Sequence, residues 1–174
     1  MRMRKLYLQK QHGFTIVELL IVIVIIGILA AITIVAYNGI QNRASDTAVQ
    51  SDLRQFASKV AEFHAINGRY PTGPNSTAAV EGIPKFRLAQ GSYSTNMHNF
   101  YYCVGIVGGI EKFAIGAVSL SGKKFAYYSD NGLQIYTGVW AASAQNCPGL
   151  LPTVDPYTYG YGHNATTGWN SWTQ

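Results

Sequence analysis

With 174 residues, of which 48% are apolar and 12% charged, the chain is sized for one domain and an appendage, and two full domains are excluded. Its charged fraction is about half the usual one while it holds 12 Tyr, 7 Phe and 3 Trp, which excludes a disordered polyelectrolyte, because so much apolar surface collapses in water. The net charge of +5 is local: Arg2, Arg4, Lys5 and Lys10 precede residue 14, and the remaining nine basic and eight acidic residues give no argument for a nucleic-acid partner.

Residues 14–36 are almost wholly Ile, Val, Leu, Ala and Gly, and the 24 residues between Glu18 and Arg43 carry no charge. As a helix rising about 1.5 Å per residue this stretch covers roughly 34 Å, enough for a hydrocarbon core of about 30 Å. The basic flank holds the N-terminal side in the cytoplasm, so the chain reads as N-in, C-out, with everything past residue 40 outside. A secretory signal peptide fits poorly: the apolar run is too long, and only the loose Leu29-Ala30-Ala31 offers a cut site. A plain anchor has no use for Glu18. A carboxylate in an apolar helix is costly and by default functional, and its own helix offers no cation within reach.

Lys10-Gln11-His12-Gly13-Phe14-Thr15-Ile16-Val17-Glu18-Leu19-Leu20 closely resembles the processing site of type IV pilins and the related pseudopilins. It combines a small residue before the cut, an aromatic after it, a carboxylate four residues on and a long apolar run. The resemblance implies that a membrane-embedded prepilin peptidase cleaves between Gly13 and Phe14 and N-methylates Phe14. It also implies a mature chain starting at Phe14, lipid as the partner before assembly, and inner-membrane pilus assembly machinery as a further partner. Physical chemistry points the same way. The cut removes four positive charges and creates an ammonium on Phe14, about 6 Å along the axis from Glu18. In a helical stack that ammonium of one subunit meets the Glu18 carboxylate of another, which selects docked subunits and sets their stagger. The rival is a Glu18 that merely snorkels to the headgroups.

Val49, Leu53, Phe56, Val60 and Phe63, spaced by 4, 3, 4 and 3, give the next stretch an apolar stripe, while Gln50, Asp52, Arg54, Gln55, Ser58, Lys59 and Glu62 are assigned to the opposite, polar face. Asn67-Gly68 with Pro71 ends the helix, so one helix is expected over residues 14–66, roughly 80 Å long, with 14–37 in the membrane or filament core. Pilins often carry a proline in the apolar half, which is missing here. Gly27 and Gly39 are the weak points instead, and the expectation is a fibre form that frays around Asn38-Gly39, unless the glycines serve only close helix packing.

Residues 67–98 read as a connecting loop, interrupted by Pro71, Gly73, Pro74, Gly82, Pro84 and Gly91, with a short helix over 76–81. Aromatic and β-branched runs follow at 100–107, 112–120, 124–129 and 133–140, separated by Gly-Gly, Ser-Gly and Asn-Gly turns, so a four-stranded antiparallel meander is expected. The fold class is therefore α+β. Long helix, loop, then sheet resembles the pilin fold, with a leader over 1–13 and a β-sheet head with an aromatic tail over 99–174.

Cys103 and Cys147 enter an oxidising space if the topology holds, which favours a disulfide over free thiols or a metal site; it ties the chain after the sheet back onto it, as the cysteine-bounded C-terminal region does in many pilins. The uncharged tail from Pro156 holds Tyr157, Tyr159, Tyr161, Trp169 and Trp172 and has three readings: an edge strand, docking on the head or a neighbouring subunit, or an exposed adhesive surface. Asn75 and Asn164 match the glycan acceptor pattern, which is too short to weigh much.

No cofactor and no metal site is expected, and no catalytic motif: His12 leaves with the leader, and His64, His98 and His163 are isolated. Asp130 beside Asn131-Gly132 reads as turn chemistry. Lys123-Lys124 reads as a solvated strand start, although Lys85, Arg87 and Lys112 would make a nucleic-acid patch if they joined it. The expected function is structural: a pilin that homo-oligomerises into a surface filament for adhesion, motility or DNA uptake. The alternatives are a pseudopilin or minor pilin of a secretion or competence machine, and an unprocessed bitopic surface protein.

Overall fold

The structure is a computed structural model that describes residues 13–72, 80–83, 85–95, 98–140, 147–152, 158–164, 168–170 and 173. It divides into two compact units, one ending at Ile40 and one beginning at Gln41. A single helix, α1, runs Ile16–Asn67. It is continuous through Gly27 and Gly39 in this isolated chain, although the β-branched residues and Asn38 around them are only middling helix formers. It stops where Gly68 takes φ +69° and donates its N–H to the His64 carbonyl at 2.8 Å, a left-handed cap that glycine adopts without strain.

In the second unit the helix meets a sheet of strands β1 Phe100–Val107, β2 Ile110–Val118, β3 Lys124–Tyr128, β4 Gly132–Ile135 and β5 Thr158–Tyr161, in the order β4-β3-β2-β1-β5. All pairs are antiparallel. The four-stranded meander is thus present, and the tail adds a fifth strand by pairing Val104 with Thr158 and Tyr101 with Tyr161. The fourth strand is shorter than its aromatic pattern suggests. The Tyr136 N–H still donates to the Lys124 carbonyl at 2.9 Å, and beyond it the chain leaves the ladder for the sheet's outer face, where Trp140 lies edge-on to Tyr101 at 5.8 Å and donates its indole N–H to the His98 carbonyl at 2.8 Å.

Both faces of the sheet are covered. Val49, Leu53, Phe56 and Val60 of α1 are wholly buried against Phe100, Tyr102, Phe113 and Ile115, with Val80, Ile83, Phe86 and Leu88 of the connecting loop closing the core. The alternate residues, Tyr101, Cys103, Ala114 and Ala126, face a smaller core built with Tyr136, Leu150 and Leu151. The short helix α2, Cys147–Leu150, lies on that outer face, and a Cβ on Gly116 would meet the Leu150 side chain at 2.7 Å, so any larger residue there would push Leu150 aside. A disulfide joins Cys103 of β1 to Cys147 of α2, with Cα atoms 5.6 Å apart. A ribbon of β6 His163–Asn164 and β7 Gly168–Trp169 follows β5, and Trp169 packs edge-on to Tyr93 at 5.5 Å. Where described, the tail is docked on the head. Most of the helix expected over 76–81 lies outside the described residues, and Glu81 sits in a turn.

Asp52 corrects its assignment to the polar face, for it is buried, at 7% exposure, and so is Asp46, at 5%. Each lies on the stripe, three residues either side of Val49, and each is hydrogen-bonded. Asp46 accepts hydrogen bonds from Ser121 Oγ and, at 2.8 Å, from Lys123 Nζ, fastening the β2–β3 turn to the helix. Asp52 accepts from the Ala89 N–H and the Tyr93 hydroxyl, both at 2.8 Å, fastening the connecting loop.

Candidate functional site

Among its described residues the first unit has no cover of its own. Every residue from 13 to 40 is exposed, Phe14 by 83% and Ile16 by 84%. Among the described residues α1 is the one helix long and apolar enough to cross a membrane, with an 18-residue window of mean hydropathy 3.3, none of it buried. Gly13 and Phe14 immediately precede the helix.

Glu18 lies in the first turn and closes a reciprocal cap with Thr15. Its carboxylate accepts from the Thr15 backbone N–H and hydroxyl, each at 2.8 Å, while its own N–H donates to Thr15 Oγ1 at 3.2 Å. Among the described residues no ion pair includes Glu18. The cap leaves a carboxylate at the positive end of the helix dipole, one turn from the Gly13–Phe14 peptide bond. Hydrolysis there would leave a carboxylate on Gly13 and a free amine on Phe14, adjacent to Thr15. Thr15 is the residue that the sequence reading missed. Its signal was present: a Thr-x-x-Glu spacing directly before an apolar run marks a helix start.

Lys112 does not join Lys123-Lys124, for it lies at the opposite end of β2. Lys112 pairs with Asp130 at 2.8 Å across the ends of β2 and β3, Lys123 pairs with Asp46, and Lys124 donates to the Gly138 carbonyl at 2.7 Å. Hydrogen bonding from Lys112 holds the Asp130 carboxyl below its ordinary pKa. Arg69 makes a two-pronged contact with Glu81, whose pKa that bond lowers to about 2. Among the described residues no group of three or more His, Cys, Asp or Glu side chains is placed to hold a metal. His64 stacks on Tyr70 at 4.3 Å and His163 lies edge-on to Trp169 at 5.1 Å. Asn164 lies in β6, whereas the rest of its acceptor triplet and the Asn75 triplet fall outside the described residues.

Residues 8–34 match the family described as the prokaryotic N-terminal methylation motif. The chain is 34% identical over 77 residues to the type II secretion system core protein G of Klebsiella pneumoniae, covering 44% of this chain and 55% of that protein. It is 38% identical over 74 residues to the type IV major pilin protein PilE1 of Neisseria gonorrhoeae, covering 42% of this chain and 44% of the pilin. A fimbrial protein of Neisseria meningitidis is 40% identical over 70 residues, 40% of this chain and 41% of its own length. The chain spans about half the length of the curated relatives it matches. No solved structure is a significant match.

Proposed function

Because the chain belongs to the type IV pilin and pseudopilin family, we propose that it is the subunit of a helical filament, anchored in a membrane through residues 14–37 until assembly. A prepilin peptidase cuts between Gly13 and Phe14 and methylates the Phe14 amine. The basic leader stays on the cytoplasmic side, and the head stands outside. Glu18 is the assembly residue. Released from its own Thr15 N–H, its carboxylate takes the ammonium of Phe14 on a sister subunit, and each charge then compensates the other in an apolar surround.

The observation that carries this reading is the Thr15–Glu18 cap at the head of an uncovered apolar helix, directly after Gly13–Phe14. A filament subunit uses each of these features. The similarity to core protein G supports a second reading, a pseudopilin of a secretion machine, which uses the same helix chemistry. Mass spectrometry of the native protein tests both: a chain beginning at N-methylated Phe14 is expected, and Gly13→Leu should leave the leader attached. Native material that retains residues 1–13 would leave a tethered surface protein in place of a filament subunit.

A further inference from the structure

Charge is unevenly distributed along the head. Two contacts fix its direction: the Tyr70 N–H donates to Glu111 at the start of β2, at 3.0 Å, while Asp46 holds the β2–β3 turn at the other end. The exposed acids among the described residues of the head, Glu62, Glu81, Glu111 and Asp130, all belong to the Tyr70 end. At the Asp46 end the acids among the described residues are Asp46 and Asp52, both buried and hydrogen-bonded. What this end exposes is Arg43, Lys123 with 60% of its side chain open, and Leu120 at 51%. The exposure of Leu120 is not fraying. Its N–H donates to the Ser92 carbonyl at 2.8 Å, and the Gly122 N–H donates to the Ser119 carbonyl at 2.9 Å, so the turn is held on both sides.

Connectivity gives this end its neighbour, for Arg43 follows the apolar residue Ile40 by three positions. We propose that the β2–β3 turn, with Arg43, is a docking surface for an anionic phospholipid bilayer: Leu120 enters the interface while Lys123 and Arg43 meet lipid phosphates. The inference rests on the reading that residues 14–37 lie in the membrane. Asp46 occupies one of the three Lys123 ammonium donors, which leaves two for phosphate oxygens. The acids at the far end do not oppose the attraction. The nine residues of β2 put roughly 30 Å between the ends, several times the Debye length of about 8 Å at physiological salt. Before assembly the head therefore stands on the leaflet, and drawing a subunit into a filament breaks these contacts.

The test uses the full chain in nanodiscs of phosphatidylcholine, with or without phosphatidylglycerol, and two nitroxide lipids read by NMR. A label deep in the acyl chain should broaden residues 16–36 in both discs. A headgroup label should broaden the amides of Arg43 and of residues 119–123 strongly in the anionic disc and weakly in the neutral one, and high salt should remove the difference. Arg43→Gln should lower the ratio of docked to undocked heads roughly fivefold, the share of one basic residue at an anionic surface, and Leu120→Ser should weaken docking in both discs. If residues 16–36 stay sharp, the membrane reading falls and the proposal with it. If they broaden while the turn stays silent, or broadens equally in both discs, the docking surface alone is overturned. Turn broadening that follows protein-to-lipid ratio assigns the turn to a second copy and also overturns it.

Discussion

Residues 16–40 and 41–67 belong to one helix with one period, yet they differ in what covers them. In the first stretch no side chain is buried; in the second, Val49, Leu53, Phe56 and Val60 are fully enclosed by the chain's own sheet and loop. The second stretch is a piece of a globular core and needs nothing further. The first is apolar all round, so its cover has to come from outside this chain, which under the proposed function is lipid before assembly and sister helices after it. One helix thus serves two solvents, and a substitution should act on one property or the other according to which side of residue 40 it falls.

The sharpest test is Glu18→Ala. Its hydrogen bonds are made with Thr15, so the head should melt unchanged, while incorporation into filaments falls roughly tenfold or more, since losing even 1.4 kcal/mol of pairing has that effect. Normal incorporation measured by shearing and immunoblot would remove the charge-pairing mechanism. Phe56→Ala should do the reverse. The Phe56 ring lies edge-on to Phe86, Phe100 and Tyr102 at 5.3, 5.4 and 5.8 Å, so truncation should destabilise the head by about 3–5 kcal/mol in urea unfolding and leave leader cleavage intact. Impaired cleavage with a stable head would mean that the two stretches are not independent.

The same contrast explains what was legible in the sequence. Local patterns gave the helix, its end at Asn67-Gly68 and three hairpins, because period and turn chemistry act over a few residues. The pairing of β5 with β1 spans more than fifty residues and leaves no local mark, so the tail's place was one of three open readings. The two aspartates show a different failure. Their spacing from Val49 puts both on the buried stripe, but their chemistry argues for water, and in Asp52 chemistry was allowed to outrank position. Position won because Ala89, Tyr93, Ser121 and Lys123 supply donors, and a satisfied carboxylate is tolerated inside. At the candidate site, the sequence marks Glu18 as an unexplained charge beside the proposed Gly13-Phe14 cut, and the cap that holds Glu18 was there to be read in Thr15.

Those two carboxylates also give the smallest and most discriminating test within the covered stretch. Burial alone would raise the Asp46 pKa, but hydrogen bonds from Lys123, Ser121 and Ser119 outweigh it and hold the carboxyl below its ordinary value. For Asp52 burial prevails over the bonds from Ala89 and Tyr93, and the pKa is raised. The signs follow. The contribution of Asp46 is present above the unfolded value of about 3.9 and is lost as pH falls through its lower folded value. The contribution of Asp52 is present below about 3.9 and is lost as pH rises through its higher folded value. Asp46→Asn should therefore cost about 1.5–3 kcal/mol at neutral pH, the worth of a charged hydrogen bond, and progressively less in acid. Asp52→Asn keeps an oxygen to accept from Ala89 and Tyr93 while removing a buried charge, so it should be neutral or stabilising at pH 7 and lose its advantage as the wild-type carboxyl protonates. Melting temperatures of wild type and both variants from pH 3 to 8 decide the matter. Equal losses for the two variants at neutral pH would mean that Asp52, like Asp46, is stabilised by its partners more than it is penalised by its burial.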